Sequence, residues 1–219
     1  MPAPPPAAAA AIFEATNGLH RGLNHALSNR INTLNTLLAV LQESAEYDAE
    51  IVEALAAEEG RFEQLLRLYR LMPVELAAAR EPMVLADPVN DALALLSHHL
   101  DLRMLPCQVT GLDAAPPVRS QRQLLTQALL VLLVGVARAL EGEEDGHGIA
   151  VALTSTDDEL FVRATTTRPA TPADGAAWPA LEWMSSLLGA VTTRGQDAAG
   201  HPWAELALPT LAAERRKGR

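Results

Sequence analysis

Leu23-Asn24-His25-Ala26-Leu27-Ser28-Asn29-Arg30-Ile31-Asn32 is the stretch on which the reading of this chain turns. Leu23, Leu27 and Ile31 continue through Leu34, Leu38 and Leu41 in steps of 4, 4, 3, 4 and 3. That spacing is the apolar seam of a long amphipathic helix that packs on another helix. Arg21, His25, Ser28 and Asn32 recur with the same kind of spacing as a polar stripe off that seam. The helix is therefore expected to bury one face and to show an imidazole on another.

Working outward, the helical pattern spans about 8–43. Helices usually run roughly 10–14 residues, so one of this length needs a partner along it. Gly18 and Gly22 are expected to loosen it just before His25. A break follows at 44–48, with Asp48 as N-cap, and a second helix passes through Ile51, Leu55, Phe62, Leu65 and Tyr69 to stop at Met72-Pro73. Two long helices with a short connection make an antiparallel hairpin. Its apolar strip is more than two helices cover, so a homodimer with a four-helix bundle is expected.

After Arg80 the texture changes. Strands are expected at 81–85, 107–110, 149–154, 160–165, 191–193 and 203–208, with a short edge segment at 116–119. Helices are expected at 86–105, at 121–140 behind a Ser120 N-cap, and at 178–188 up to Gly189. Asp157-Asp158 joins two strands as a hairpin, and 141–148 is an acidic, glycine-rich loop. The fold class is α+β: an N-terminal helical hairpin followed by an α/β sandwich with three helices on one face of a sheet. The divisions are a disordered lead-in at 1–7, the hairpin at 8–79, the second domain at 80–210 and a solvated basic tail at 211–219.

The 219 residues are 49% hydrophobic but only 4% aromatic, so Leu, Val and Ala must build the core. The net charge of −10 argues against nucleic acid, which is held mainly by Lys and Arg. The single cysteine, Cys107, makes neither an internal disulfide nor a thiolate metal cluster, and suits a cytosolic protein. The longest apolar run, 128–137, falls short of the roughly 20 residues that span a bilayer, so no membrane partner is expected. The start lacks the basic region of a signal peptide.

A helical hairpin with a histidine in its first helix, followed by an α+β domain, resembles the core of bacterial sensor histidine kinases. The family's phosphoacceptor motif runs His, Asp or Glu, Leu, Arg, Asn, Pro, Leu, and His25-Ala26-Leu27-Ser28-Asn29-Arg30-Ile31 is similar to it. Ala26 replaces the acidic residue and Arg30 the proline. The two Mg²⁺-binding asparagines of the family's ATP site correspond to Val131 and Gly135, and valine offers a hard cation no oxygen. Thr166-Thr167-Arg168-Pro169 stands where the family has its Asp-x-Gly-x-Gly turn. Ala180-Leu181-Glu182-Trp183 stands where a glycine box would cradle phosphate, and the lid between them is short. The resemblance is thus closest to histidine phosphotransferases that pair a dimeric hairpin with a kinase-like domain without ATP.

That resemblance implies a phosphorelay protein in which His25 exchanges phosphoryl groups with receiver-domain aspartates of response regulators. It implies no cofactor of its own, with Mg²⁺ carried by the partner receiver. Imidazole is a nucleophile at cellular pH. Arg21, one turn earlier, and Arg30 are placed to steady phosphoryl charge, and Asn29, one turn later, to hydrogen-bond the ring or the phosphoryl group. His20 is a competing histidine without the trailing pattern. His98-His99 is expected late on a helix, and Glu58-Glu59 as solvated charges. The rival to phosphotransfer is a catalytically dead, kinase-like dimeric scaffold that binds a regulator or kinase without covalent chemistry. An active ATP-dependent kinase is disfavoured by Val131 and Gly135.

Overall fold

A computed structural model describes residues 3–43, 49–72, 79–140, 147–172, 175 and 177–217. Two helices come first, α1 (Pro6–Glu43) and α2 (Ala49–Arg70), in contact along an antiparallel hairpin. The elements that follow are β1 (Glu81–Met83), α3 (Ala86–Leu96), β2 (Cys107–Thr110), β3 (Val118–Ser120), α4 (Arg122–Ala137), β4 (Ile149–Ser155), β5 (Glu159–Thr166), α5 (Trp178–Leu188), β6 (Val191–Gln196), β7 (Pro202–Pro209) and α6 (Leu211–Lys217). The main sheet has the order β2-β4-β5-β7-β6, with β2 parallel to β4 and the remaining pairs antiparallel. Strands β1 and β3 form a separate small antiparallel pair. The α+β class, with a hairpin ahead of a helix-covered mixed sheet, is as the sequence predicts.

Alternation along the strands sets the core. Val151 faces Ala164 and Leu153 faces Val162 across β4 and β5, and Ala164, Val162 and Leu160 continue to Ala204, Leu206 and Leu208 on β7. All of these are buried, on the face that meets the helices. Helix α4 is apolar on every side and is buried from Leu124 to Ala137, between the sheet, α3 and α5. The stretch Arg122–Leu140 is long and apolar enough to cross a membrane, but it is mostly buried inside the fold. Two α4 side chains close the end of α2: Gln123 and Gln127 donate to the carbonyls of Arg70 and Leu71 at 2.8 and 2.5 Å. Asp91 of α3, buried, accepts from Arg67 of α2 at 2.8 Å and from Arg122 of α4 at 2.7 and 3.2 Å, tying three helices together.

The first helix does not stand apart from this domain. Ala11, Ala15, Leu19 and Leu23 are buried in the same apolar cluster as α4, α5 and the sheet. Further along, the seam is uncovered: Ile31 is 43% exposed and Leu38 45%. The hairpin is thus seated on the second domain at one end and bare along the other.

Four sequence expectations are corrected. Helix α3 stops at Leu96 rather than 105, because 97–105 turns back to meet α1. There the Leu100 N–H donates to the Gly18 carbonyl at 3.2 Å. Gly18 and Gly22 do not loosen α1, which runs unbroken through both; they admit that turn. A Cβ on Gly22 would lie 1.6 Å from the His98 carbonyl oxygen, and one on Gly18 would lie 2.4 Å from the His99 ring. Ser120 is not an N-cap but the last residue of β3, and Gln121 holds the cap position with extended backbone (φ −96, ψ 116). The expected basic tail is the helix α6 as far as Lys217, started by the Thr210 hydroxyl accepting from the Ala213 N–H at 3.1 Å, with Ala213 buried. The break at 44–48 with its Asp48 cap, the stop at Pro73 and most of the acidic loop at 141–148 lie outside the described residues.

The glycines give a paired test by urea unfolding. Gly22→Ala meets backbone it cannot displace, so it is expected to destabilise by about 1–3 kcal/mol. Gly60→Ala in α2 meets nothing within 4 Å. It is expected to stabilise by about 0.4–1 kcal/mol, since alanine restricts the unfolded chain and strain is absent.

Candidate functional site

The stripe predicted from the sequence is present: Arg21, His25, Ser28 and Asn32 are all exposed on α1. One turn after His25, the Asn29 side-chain nitrogen lies 3.2 Å from His25 Nε2. An amide nitrogen only donates, so Nε2 accepts and the proton of the neutral ring sits on Nδ1. Local bonds stiffen this turn. The Ser28 hydroxyl donates to the Asn24 carbonyl at 2.9 Å, and the Tyr69 hydroxyl of α2 donates to the Asn24 side-chain oxygen.

His25 opens onto a small cavity of about 200 Å³ between α1 and the turn after α3. His25, Asn29 and Arg30 line one wall, and Ser97, His98 and Arg103 the other. Of the four candidate site residues His25, Asn29, Arg21 and Arg30, three meet here. Arg21 is exposed on the same helix but does not line the cavity, and neither does His20.

Arg30 is engaged. Its Nη1 donates to both carboxylate oxygens of Glu58 on α2, at 3.0 and 3.2 Å, and Arg61 also donates to Glu58. Glu58 is therefore not a solvated charge: it is buried and holds two guanidinium groups. Burial alone raises its carboxyl pKa, but hydrogen bonds and positive charge from Arg61 and Arg30 together outweigh that and hold it below the ordinary 4.5. A charge-assisted pair of this kind crosses the hairpin one turn beyond His25.

The sequence pattern predicts helix through 97–105, which hides the meeting of Ser97, His98 and Arg103 with α1. Their signal was the pair Gly18 and Gly22, four residues apart on one helix face, which marks a close approach of another backbone. His98 is half-buried, and burial together with the positive charge of Arg30 keeps its ring below the ordinary 6.5, so it is neutral at neutral pH. His99 is buried against Gly18, with Nδ1 accepting from the Asp101 N–H at 3.3 Å; burial lowers its pKa more than Asp101 raises it. Cys107 on β2 is a half-buried free thiol whose pKa burial pushes up, and which is thereby made less reactive. Among the described residues no three His, Cys, Asp or Glu side chains gather as a metal requires.

The positions matched to ATP-site motifs lie on the other side of α4. Val131 is fully buried in the core. Gly135 borders a cleft of about 450 Å³, and the Trp178 ring packs on it, 3.0 Å from where a Cβ would stand. The Arg194 guanidinium stacks on that ring at 4.9 Å. Nearby, Thr166–Arg168 closes on itself and on Gly148: Thr166 donates to the Arg168 carbonyl at 2.6 Å, while Thr167 and Gly148 exchange bonds of 2.9 Å.

No protein-family model and no curated protein sequence matches the chain. Among solved structures it is similar in fold to histidine kinase cores. It resembles the Acinetobacter baumannii histidine kinase AdeS at 13% identity over 85% of this chain and 98% of that one, with a TM-score of 0.47. A histidine kinase from Burkholderia phymatum is 14% identical over 94% and 99% of the two chains, with a TM-score of 0.49. The Erythrobacter litoralis blue-light activated histidine kinase EL346 is 12% identical over 89% and 61%, with a TM-score of 0.47.

The Glu58 pairing has a definite pH signature. A carboxyl whose folded pKa is depressed stabilises fully above its unfolded value of 4.5. That contribution is lost as pH falls through the folded value. Thermal unfolding followed against pH should therefore show the wild type above Glu58→Gln in stability at neutral pH. The gap should close below pH 4.5.

Proposed function

We propose that the protein is a dimeric histidine phosphotransferase, which exchanges phosphoryl groups between His25 and receiver-domain aspartates of response regulators without binding ATP. The observation that carries this is an exposed imidazole lining a small cavity, with Asn29 donating to Nε2 and so holding the Nδ1–H tautomer; the Nε2 lone pair is freed for attack when the Asn29 amide turns from the ring to the incoming phosphoryl group. In the transfer, Nε2 attacks the phosphorus of the aspartyl phosphate. The P–O bond breaks, its electron pair leaves on the carboxylate, and Nδ1 keeps its proton, so the product is a phosphoimidazolium. Such a step needs mostly positioning and charge compensation. Any Mg²⁺ would belong to the receiver.

The phosphoryl donor is then another protein, because the second domain fits a nucleotide poorly. The side chain of Val131 points into the core, and Trp178 covers Gly135. Neither position offers the oxygen that Mg²⁺ takes. A second copy of the chain would cover the bare seam at Ile31 and Leu38, completing a four-helix bundle next to the two His25 sites. The cytoplasm, where receivers are phosphorylated and a free thiol such as Cys107 survives, is the compartment this role requires.

The alternative is a scaffold that binds a regulator or kinase without covalent transfer. Arg30, tied to Glu58, and Ala26, which can take no proton, favour it. One experiment separates the two. A receiver labelled on its aspartyl phosphate should transfer the label to the wild type and not to His25→Gln; label on His25→Gln would sink phosphotransfer through His25. Binding that persists without any transfer to the wild type would favour the scaffold. Light scattering should give a dimer for the wild type and a monomer for Leu38→Glu, whose charge would be buried in the bundle.

A further inference from the structure

Resting on the phosphotransfer assignment, we propose that Arg103, on the turn after α3, binds the phosphoryl group carried by His25, so that the second domain supplies the cation of the site in the same chain. The sequence pattern points to Arg21 or Arg30 for that task. Arg21 does not line the cavity. Arg30 does, but its charge is matched by Glu58, which accepts from it through both oxygens. His98, on the far wall, is held neutral by burial and by Arg30. Arg103 is exposed, and among the described residues no ion pair or side-chain hydrogen bond competes for its guanidinium.

Its position is set by backbone bonds. The Leu100 N–H is fixed to Gly18 of α1 at 3.2 Å, and the Arg103 N–H donates to the His99 carbonyl at 2.9 Å. His99 itself is buried against Gly18. The turn therefore cannot drift from α1, and Arg103 stays across the cavity from His25. The cavity of about 200 Å³ holds a tetrahedral phosphoryl group with room for water; a water's share of the liquid is roughly 30 Å³. A phosphoryl dianion there meets one uncompensated guanidinium, whose forked donors suit two phosphoryl oxygens. Arg103 exchanges no proton in the transfer.

The test is the rate at which a phosphorylated receiver labels Arg103→Ala, Arg103→Lys and the wild type. Arg103→Ala should label about 10²–10³-fold more slowly, the usual effect of removing one preorganised donor. Its thermal unfolding should be unchanged, since the side chain is exposed. Arg103→Lys, and Arg103→Ala with added methylguanidinium, should recover part of the rate. Labelling of Arg103→Ala at the wild-type rate overturns the inference and leaves phosphotransfer standing. A loss that neither lysine nor methylguanidinium recovers assigns Arg103 to receiver docking, and also overturns it. No label on the wild type overturns both.

Discussion

Helix α1 can lie against the turn after α3 only because residues 18 and 22 carry no Cβ. The His98 carbonyl occupies the place a side chain at 22 would need, and the His99 ring that of a side chain at 18. Everything distinctive about the site follows from this contact. It seats Ala11, Ala15, Leu19 and Leu23 in the core of the second domain, and it ends α3 early. It also turns an imidazole on an open helix face into one wall of a cavity. In most two-domain chains relative motion is the default unless the interface is large and apolar. Here the interface is apolar and continuous with the core, so hairpin and domain hold a fixed relation.

Charge is arranged in the same economical way. The chain is acidic overall, yet among the described residues the two buried carboxylates, Glu58 and Asp91, are each matched by two arginines. Glu58 holds Arg30 and Arg61 across the hairpin. Asp91 holds Arg67 and Arg122 between α2, α3 and α4. Removing a carboxylate from water is costly, and such a pair breaks even only when its lone pairs are filled. Using two guanidinium groups per carboxylate achieves that. The consequence for the site is that Arg30 is a structural cation, although its sequence position beside His25 suggested otherwise.

Much of the fold was legible in the residues. The seam of α1, the all-round apolar character of α4, the β4–β5 hairpin at Asp157-Asp158 and the αL stop of α5 at Gly189 all follow from local periodicity and turn chemistry. What went unread was non-local. The run 86–105 carries an unbroken helical pattern, with Val89, Leu93, Leu96 and Leu100 on one face. No local signal says that the chain leaves the helix at Leu96 to meet a glycine pair far away in sequence. For the same reason Ser120 looked like a cap and 211–217 like a tail, where β1 pairing and burial of Ala213 decided otherwise.

By itself, then, the sequence determined the hairpin, the mixed α+β layer behind it and the exposed stripe with His25. Those depend on periodicities of 3.6 and 2, which any short window displays. Only the tertiary structure decided which groups stand across from His25, and which arginine near it is already neutralised. Those depend on where Ser97–Arg103 comes to rest and on Glu58 reaching Arg30 from the other helix. Contacts between residues distant in the chain are fixed by packing in three dimensions, and a linear pattern does not encode them one by one.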